Sequence, residues 1–220
     1  SDSGTIVASG TTTIVAGANN VVLDDAANNF GIVAITSAGT ATLVDVGAID
    51  MGASTVTTLN ITAGGAISDS GTIVASGTTT IVAGANNAVL DDAANNFGTV
   101  AVTSAGTATL VDVDAIDLGA SGVTTLNVTA GGAITDSGNL AVTGTSTFTS
   151  ANAQSVTLNN SNTFATVAFV ASAGTLANVT IVDSDAIDLA ALTLTGDLTV
   201  TAGGNISDSG TLVVPGTTTL

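Results

Sequence analysis

The chain has 220 residues, of which 45% are hydrophobic but only 2% aromatic, so the material at hand is Val, Ile, Leu and Ala for a narrow interior, not a wide globular core. Its formal charge of −17 comes from seventeen Asp with no Lys, Arg, His or Glu, which leaves nothing to pair with a phosphate backbone: nucleic acid is excluded as a partner and anionic membranes are disfavoured, whereas a divalent cation or a basic partner is attracted. With no His and no Cys, no imidazole base, thiolate nucleophile, zinc site or disulfide can be built.

The first ten residues, Ser1-Asp2-Ser3-Gly4-Thr5-Ile6-Val7-Ala8-Ser9-Gly10, return at 68–77 and, loosened, at 135–144 and 207–216. The copies start at Ser1, Ser68, Thr135 and Ser207, two equal intervals and a slightly longer third, and a long fixed period calls for a repeat architecture. The units are 1–67, 68–134, 135–206 and a partial fourth at 207–220, read as one continuous array over 1–220. Opening inside one copy and closing inside another, the chain reads as a mature segment or an excerpt of a longer protein.

Within the first unit, β-prone runs at 5–8, 12–16, 21–23, 32–36, 41–46, 48–51, 55–62 and 66–67 alternate with Gly- and Asn-rich breaks, among them Gly17-Ala18-Asn19-Asn20, Asn28-Asn29 and Gly64-Gly65. β-Branched residues every few positions argue against disorder, and Gly with β-branched residues and no 3.6-residue stripe argue against helix. No apolar run is long enough to span a bilayer, so membrane insertion is not expected.

Run centres at Ile14, Ile35, Leu59 and Ile81 lie roughly 22 residues apart, and a coil of that length suits an all-β, right-handed parallel β-helix (β-solenoid) with about three coils per 67-residue repeat. Ten coils at roughly 4.8 Å between stacked strands make a rod of about 48 Å. A β-sandwich built from each 67-residue unit is the structural alternative. Phe30, Phe97 and Phe164 recur at the repeat spacing, which predicts one buried line three coils apart. The third unit gains about four residues through 171–178, expected at a corner as a longer loop or a widened coil.

The phrases Leu59-Asn60-Ile61-Thr62-Ala63-Gly64-Gly65-Ala66-Ile67, Leu126-Asn127-Val128-Thr129-Ala130-Gly131-Gly132-Ala133-Ile134 and Leu198-Thr199-Val200-Thr201-Ala202-Gly203-Gly204-Asn205-Ile206 are each followed by Ser or Thr and then Asp-Ser-Gly. With Gly84-Ala85-Asn86-Asn87-Ala88-Val89-Leu90-Asp91-Asp92 and Asn95-Asn96-Phe97-Gly98, they resemble the repeats of filamentous-haemagglutinin-like bacterial exoproteins. The resemblance covers the whole chain. It implies a secreted β-helical shaft of a large adhesin, extracellular at the bacterial cell surface, with a separate secretion domain and a binding activity often outside the repeats. The function so implied is a structural shaft or filament-forming segment. Its alternative is a module that binds a receptor or glycan directly through its repeated lateral surface.

Chemistry has few carriers. Ser and Thr lack a His or Lys to activate them, and paired carboxylates, the remaining catalytic device, recur with the repeat instead of forming one cluster, so no enzyme and no required cofactor are expected. Asp112, Asp114 and Asp117 reappear as Asp183, Asp185 and Asp188, candidate weak Ca2+ sites or a solvated acidic edge. Asp24-Asp25 and Asp91-Asp92, replaced by Asn159-Asn160, suggest turn duty. The Asn pairs at 19–20, 28–29, 86–87 and 95–96 are candidates for corner ladders. N-x-S/T sequons fall at Asn60, Asn127, Asn159, Asn178 and Asn205. The triplets at 11–13 and 78–80 invite an ice-binding reading, which needs a Thr row on every coil. Expected partners are identical or adjacent repeat segments, associating axially or laterally, and a receptor or glycan on a host or neighbouring cell. Seventeen like charges on a thin rod predict that salt or Ca2+ favours sideways packing.

Overall fold

The computed structural model describes residues 2–220. Among them every regular element is a strand, and the strands pair in parallel, coil upon coil, as a β-solenoid. The chain divides into two compact units, Ser1–Asp112 and Val113–Leu220.

In the first unit two sheets face each other across an aliphatic interior. One holds Val7–Val15, the first half of Asn29–Asp45, Ile49–Met51, Ile67–Asp69 and Ala88–Leu90. The other holds Val21–Leu23, the second half of Asn29–Asp45, Ser54–Ala63, Ile73–Val82 and the first half of Asn96–Asp112. The two 17-residue strands therefore bend from one sheet into the other. Side chains alternate strictly along 59–63: Leu59, Ile61 and Ala63 point in, Asn60 and Thr62 out. Each fully buried Leu or Ile contributes about 1.5–3 kcal/mol of apolar transfer.

The second unit is built likewise. One sheet holds Ile116–Leu118, Ile134–Asp136, 156–158, Val179–Asp183, Leu198–Ala202 and Thr218–Thr219; the other holds Ser121–Ala130, Leu140–Ser150, 163–171, Ile187–Leu189 and Ile206–Asp208. The insertion at 171–178 lengthens the coil that contains it, since Val156 pairs with Val179, whereas the next coil, from Val179 to its partner Leu198, is shorter. Leu176 bridges Leu194, and Leu192–Thr193 pairs with Leu212–Val213 as a short third ladder whose Leu176, Leu192 and Leu194 are buried. Phe148 stacks on Phe169 at 5.8 Å and meets Phe164 edge-on at 5.9 Å, a favourable pair of aromatic geometries.

The sequence period and the coil are out of step. Thr12 pairs with Val33, Val33 with Met51 and Met51 with Asp69, so this ladder advances by roughly 20 residues per coil, within the range of stacked β-helical turns. Thr79, the counterpart of Thr12 one repeat later, is not on that ladder: it pairs with Leu59 and Val100 in the opposite sheet. One 67-residue repeat is thus about three and a half coils, a refinement of the expected three. The second unit shows the same exchange, since Ile116–Leu118 lies in one sheet and its counterpart Ile187–Leu189 in the other. This corrects the expected line of phenylalanines. Phe30 and Phe97 are both buried, but Phe30 pairs with Ala8 in one sheet and Phe97 with Ala75 in the other.

Two substitutions test this packing. Thr79 is fully buried and its Oγ1 has no hydrogen-bond partner, so Thr79→Val should raise the unfolding midpoint by the equivalent of about 1 kcal/mol; an unchanged or lower midpoint would refute the orphaned-hydroxyl account. A Cβ on Gly64 would overlap the Val46 carbonyl oxygen, whereas one on Gly10 meets nothing within 4 Å. Gly64→Ala should therefore cost about 1–3 kcal/mol and Gly10→Ala far less, read side by side in thermal melts.

Candidate functional site

A coil corner interrupts the strand ladder and leaves main-chain N–H groups needing acceptors. The chain supplies them with carboxylates and amides at fixed places in each repeat. Asn28, Asn95 and Asn162 are fully buried. Their Oδ1 atoms accept from the N–H groups of Ile6, Ile73 and Leu140 at 2.8, 2.7 and 2.8 Å. Their Nδ2 groups donate to the carboxylates of Asp2, Asp69 and Asp136 at 2.7, 2.6 and 2.8 Å. The same carboxylates accept from the N–H groups of Asp24, of Asp91 and Asp92, and of Asn159 and Asn160.

That arrangement explains the Asp-Asp to Asn-Asn exchange. The contact uses the main-chain N–H of the pair, so the charge of its side chains is dispensable. Asp25 and Asp92 serve the turn as well, accepting from the N–H groups of Ala27 and Ala94, both at 2.9 Å. The reading of turn duty fits these contacts.

A second corner residue stacks next to the buried Asn, as Asp183 does on Asn162. Asp45, Asp112 and Asp183 are each 2% exposed. Their Oδ2 atoms accept from the N–H groups of Phe30, Phe97 and Phe164 at 2.6, 2.7 and 2.8 Å. Asp45 and Asp183 also accept from the N–H two residues on, at Gly47 and Asp185.

The candidate calcium residues divide among three tasks. Asp112 and Asp183 point inward as just described, and Asp114 and Asp185 are exposed, their carbonyls accepting from Gly132 and Gly204. Asp117 and Asp188 are half-buried on the outer surface and accept from hydroxyls of the next coil, Asp117 from Thr135 and Ser137, Asp188 from Ser207 and Ser209. Among the described residues, no group of three or more acidic side chains is gathered closely enough to hold a metal ion.

Burial pushes the Asp183 carboxyl up, against the lowering effect of its two N–H donors; the Asn28 amide holds Asp2 below the usual carboxylate range. The signs oppose. The Asp183 contribution to stability is complete below the ordinary carboxylate pKa and is lost as pH rises through its raised folded value. The Asp2 contribution is present above the ordinary value and is lost as pH falls through its lowered one.

The Asn turns bond across coils: Asn20 Oδ1 accepts from Thr40 N–H at 3.0 Å, Asn87 Oδ1 from Thr107 N–H at 3.2 Å, and Asn86 Nδ2 donates to the Gly64 carbonyl at 3.1 Å. Beside one such turn, an open groove of about 470 Å³ in the first unit is lined by Gly17, Ser37, Gly39, Thr57, Val74 and Ser76 among others, none of them charged. The threonine triplet at 78–80 does not face one way, because Thr79 points in. Outward columns form across coils instead: Thr40 stacks on Thr58, and Thr42 on Asn60 and Asn60 on Thr80.

Sequence reasoning missed the pairing of a buried Asn with a corner Asp, taking Asn28-Asn29 as a turn. The available signal was the strict recurrence of both members, Asp at 2, 69 and 136 and Asn at 28, 95 and 162.

A family model described as repeats of unknown function (DUF5649) matches residues 1–37, 38–104, 105–171 and 176–220. The chain belongs to this family. No curated protein and no solved structure matches it.

The corner pair yields a pH-dependent prediction. Asn95→Asp keeps the acceptor for Ile73 N–H but sets a second carboxylate against Asp69, so at neutral pH it should cost more than about 2 kcal/mol. Repulsion raises the pKa of the pair, so the deficit should shrink as pH falls through the carboxylate range and one proton is shared. Denaturant melts of both proteins across pH measure it; a deficit independent of pH would exclude the carboxylate pair as its cause.

Proposed function

We propose that this chain is a shaft segment of a secreted bacterial surface adhesin of the filamentous-haemagglutinin-like kind, spacing a binding element away from the cell. The observation that carries the reading is the renewal of one hydrogen-bonded corner, a buried Asn donating to a corner Asp, in each of the three full repeats. A surface feature reissued with the backbone period serves the backbone; a dedicated recognition or catalytic site needs a constellation found once. Length gained by adding coils leaves every existing coil intact, because each touches only its neighbours. Identical or adjacent segments are the natural partners of such a body, and Ca2+ in this reading acts on association between shafts, not on folding.

A second reading is direct binding of a glycan or receptor by the lateral surface. The uncharged groove beside Gly17, Ser37 and Thr57 favours it, as pockets of this size accept small ligands. Cell attachment by the purified 220-residue array separates the two. The shaft reading expects weak, non-saturable attachment that no soluble glycan competes away; strong saturable binding by the array alone would overturn it in favour of the binding module.

A further inference from the structure

In the first unit the carboxylates are segregated. Nine of the seventeen Asp lie there, at corners, inside, or on the outer surface of one sheet, where Asp50 stands between Ile32 and Ser68 on its ladder. The opposite sheet differs. Over three successive coils, 38–45, Ser54–Ala63 and Ile73–Val82, its outward positions carry mainly Thr, with Asn, Ser, Val and Gly, and no carboxylate. Thr40 and Thr58 are paired, Thr42, Asn60 and Thr80 form one column, and Asn60 Nδ2 donates to Thr42 Oγ1 at 3.4 Å along it.

We propose that this threonine face docks against the same face of a second copy of the chain. The charge distribution selects the occupant. Two chains of net charge −17 with no basic side chain repel through every surface that bears Asp, and face-to-face contact here brings together surfaces that have none. Methyl groups and hydroxyls of stacked Thr supply apolar contact and hydrogen bonds in the same column. The area sets the strength. Three to four coils at about 4.8 Å, each presenting about six residues at about 3.3 Å, give roughly 300–400 Å², about half of the ~800 Å² per partner found in stable complexes. Pairing through one face is therefore weak, concentration-dependent and favoured by salt, which screens the remaining repulsion.

The proposal deepens the shaft reading by naming the face through which shafts meet, and its test is independent of cell attachment. Sedimentation of the whole chain is followed from low to high NaCl for the wild type, for Thr58→Asp with Thr80→Asp, and for Ser68→Asp with Val89→Asp, which adds the same charge to outward positions of the opposite sheet. Circular dichroism checks that all three remain β-sheet. Wild type and control should associate as salt rises, and the face variant at least about tenfold more weakly, one factor of ten being about 1.4 kcal/mol. Because the chain has no cysteine, Thr58→Cys should trap a disulfide dimer on oxidation while Ser68→Cys does not. A chain monomeric at every ionic strength, or equal loss in face variant and control, would overturn the docking face while leaving the shaft reading untouched; strong attachment in the cell assay would do the reverse.

Discussion

Backbone hydrogen bonding from each coil to the next is the constraint on which the other features depend. A parallel ladder satisfies N–H and C=O groups along the strands without help from side chains, and the corners are where that supply fails. The chain has no Lys, Arg or His to place there, so its corner carboxylates are held by hydrogen-bond donors alone. Asp69 collects two main-chain N–H groups and an amide, Asp183 two main-chain N–H groups. A carboxylate that accepts several N–H bonds can remain ionised in a poorly solvated place. Burial still prevails at Asp183, whose pKa is raised, and the result is a corner whose preference for acid runs against that of Asp2.

The same constraint explains what was legible in the sequence. Runs of Val, Ile, Leu and Thr broken by Gly and Asn identify coils, because every strand of a solenoid needs the same alternating pattern. They do not say which sheet a strand joins. Ile14 and Ile35 do pair, but Leu59 and Ile81, taken as the next rungs, belong to the opposite sheet, where Leu59 pairs with Thr79 and Ile81 with Ile61. Both sheets bury β-branched residues in the same alternation, so a half-coil displacement leaves no trace in composition. Counting similar run centres therefore gave three coils where the ladders give three and a half.

The corner sites were hidden for a related reason. Asn28-Asn29 has the composition of an exposed turn, yet Asn28 is fully buried and Asn29, though exposed, opens a strand. Its partner Asp2 lies 26 residues away, a separation that means nothing until one coil is stacked on the next. Likewise the Asp triplets suggested shared ligands because their members are close in sequence. The strand end separates them: Asp183 closes one strand with its side chain buried, Asp185 lies exposed in the turn beyond it, and Asp188 stands in the next strand.

A half-integer number of coils per repeat has a consequence for any surface role. Within each unit, copying one repeat does not extend a surface stripe; it restarts the stripe on the opposite sheet. Side chains that serve the corners are indifferent to this, since both corners pose the same backbone problem, and they recur strictly. Outward side chains are not indifferent, because within a unit a motif and its copy lie on opposite sheets. The drift of the outward positions, Thr42, Asn60 and Thr80 in one column against Asp50, Ser68 and Val89 in its opposite, is therefore tolerated by the fold and sorts the two sides by charge. In the first unit the one carboxylate of these columns, Asp50, therefore stands on one side alone, with no change in the core that both sides share.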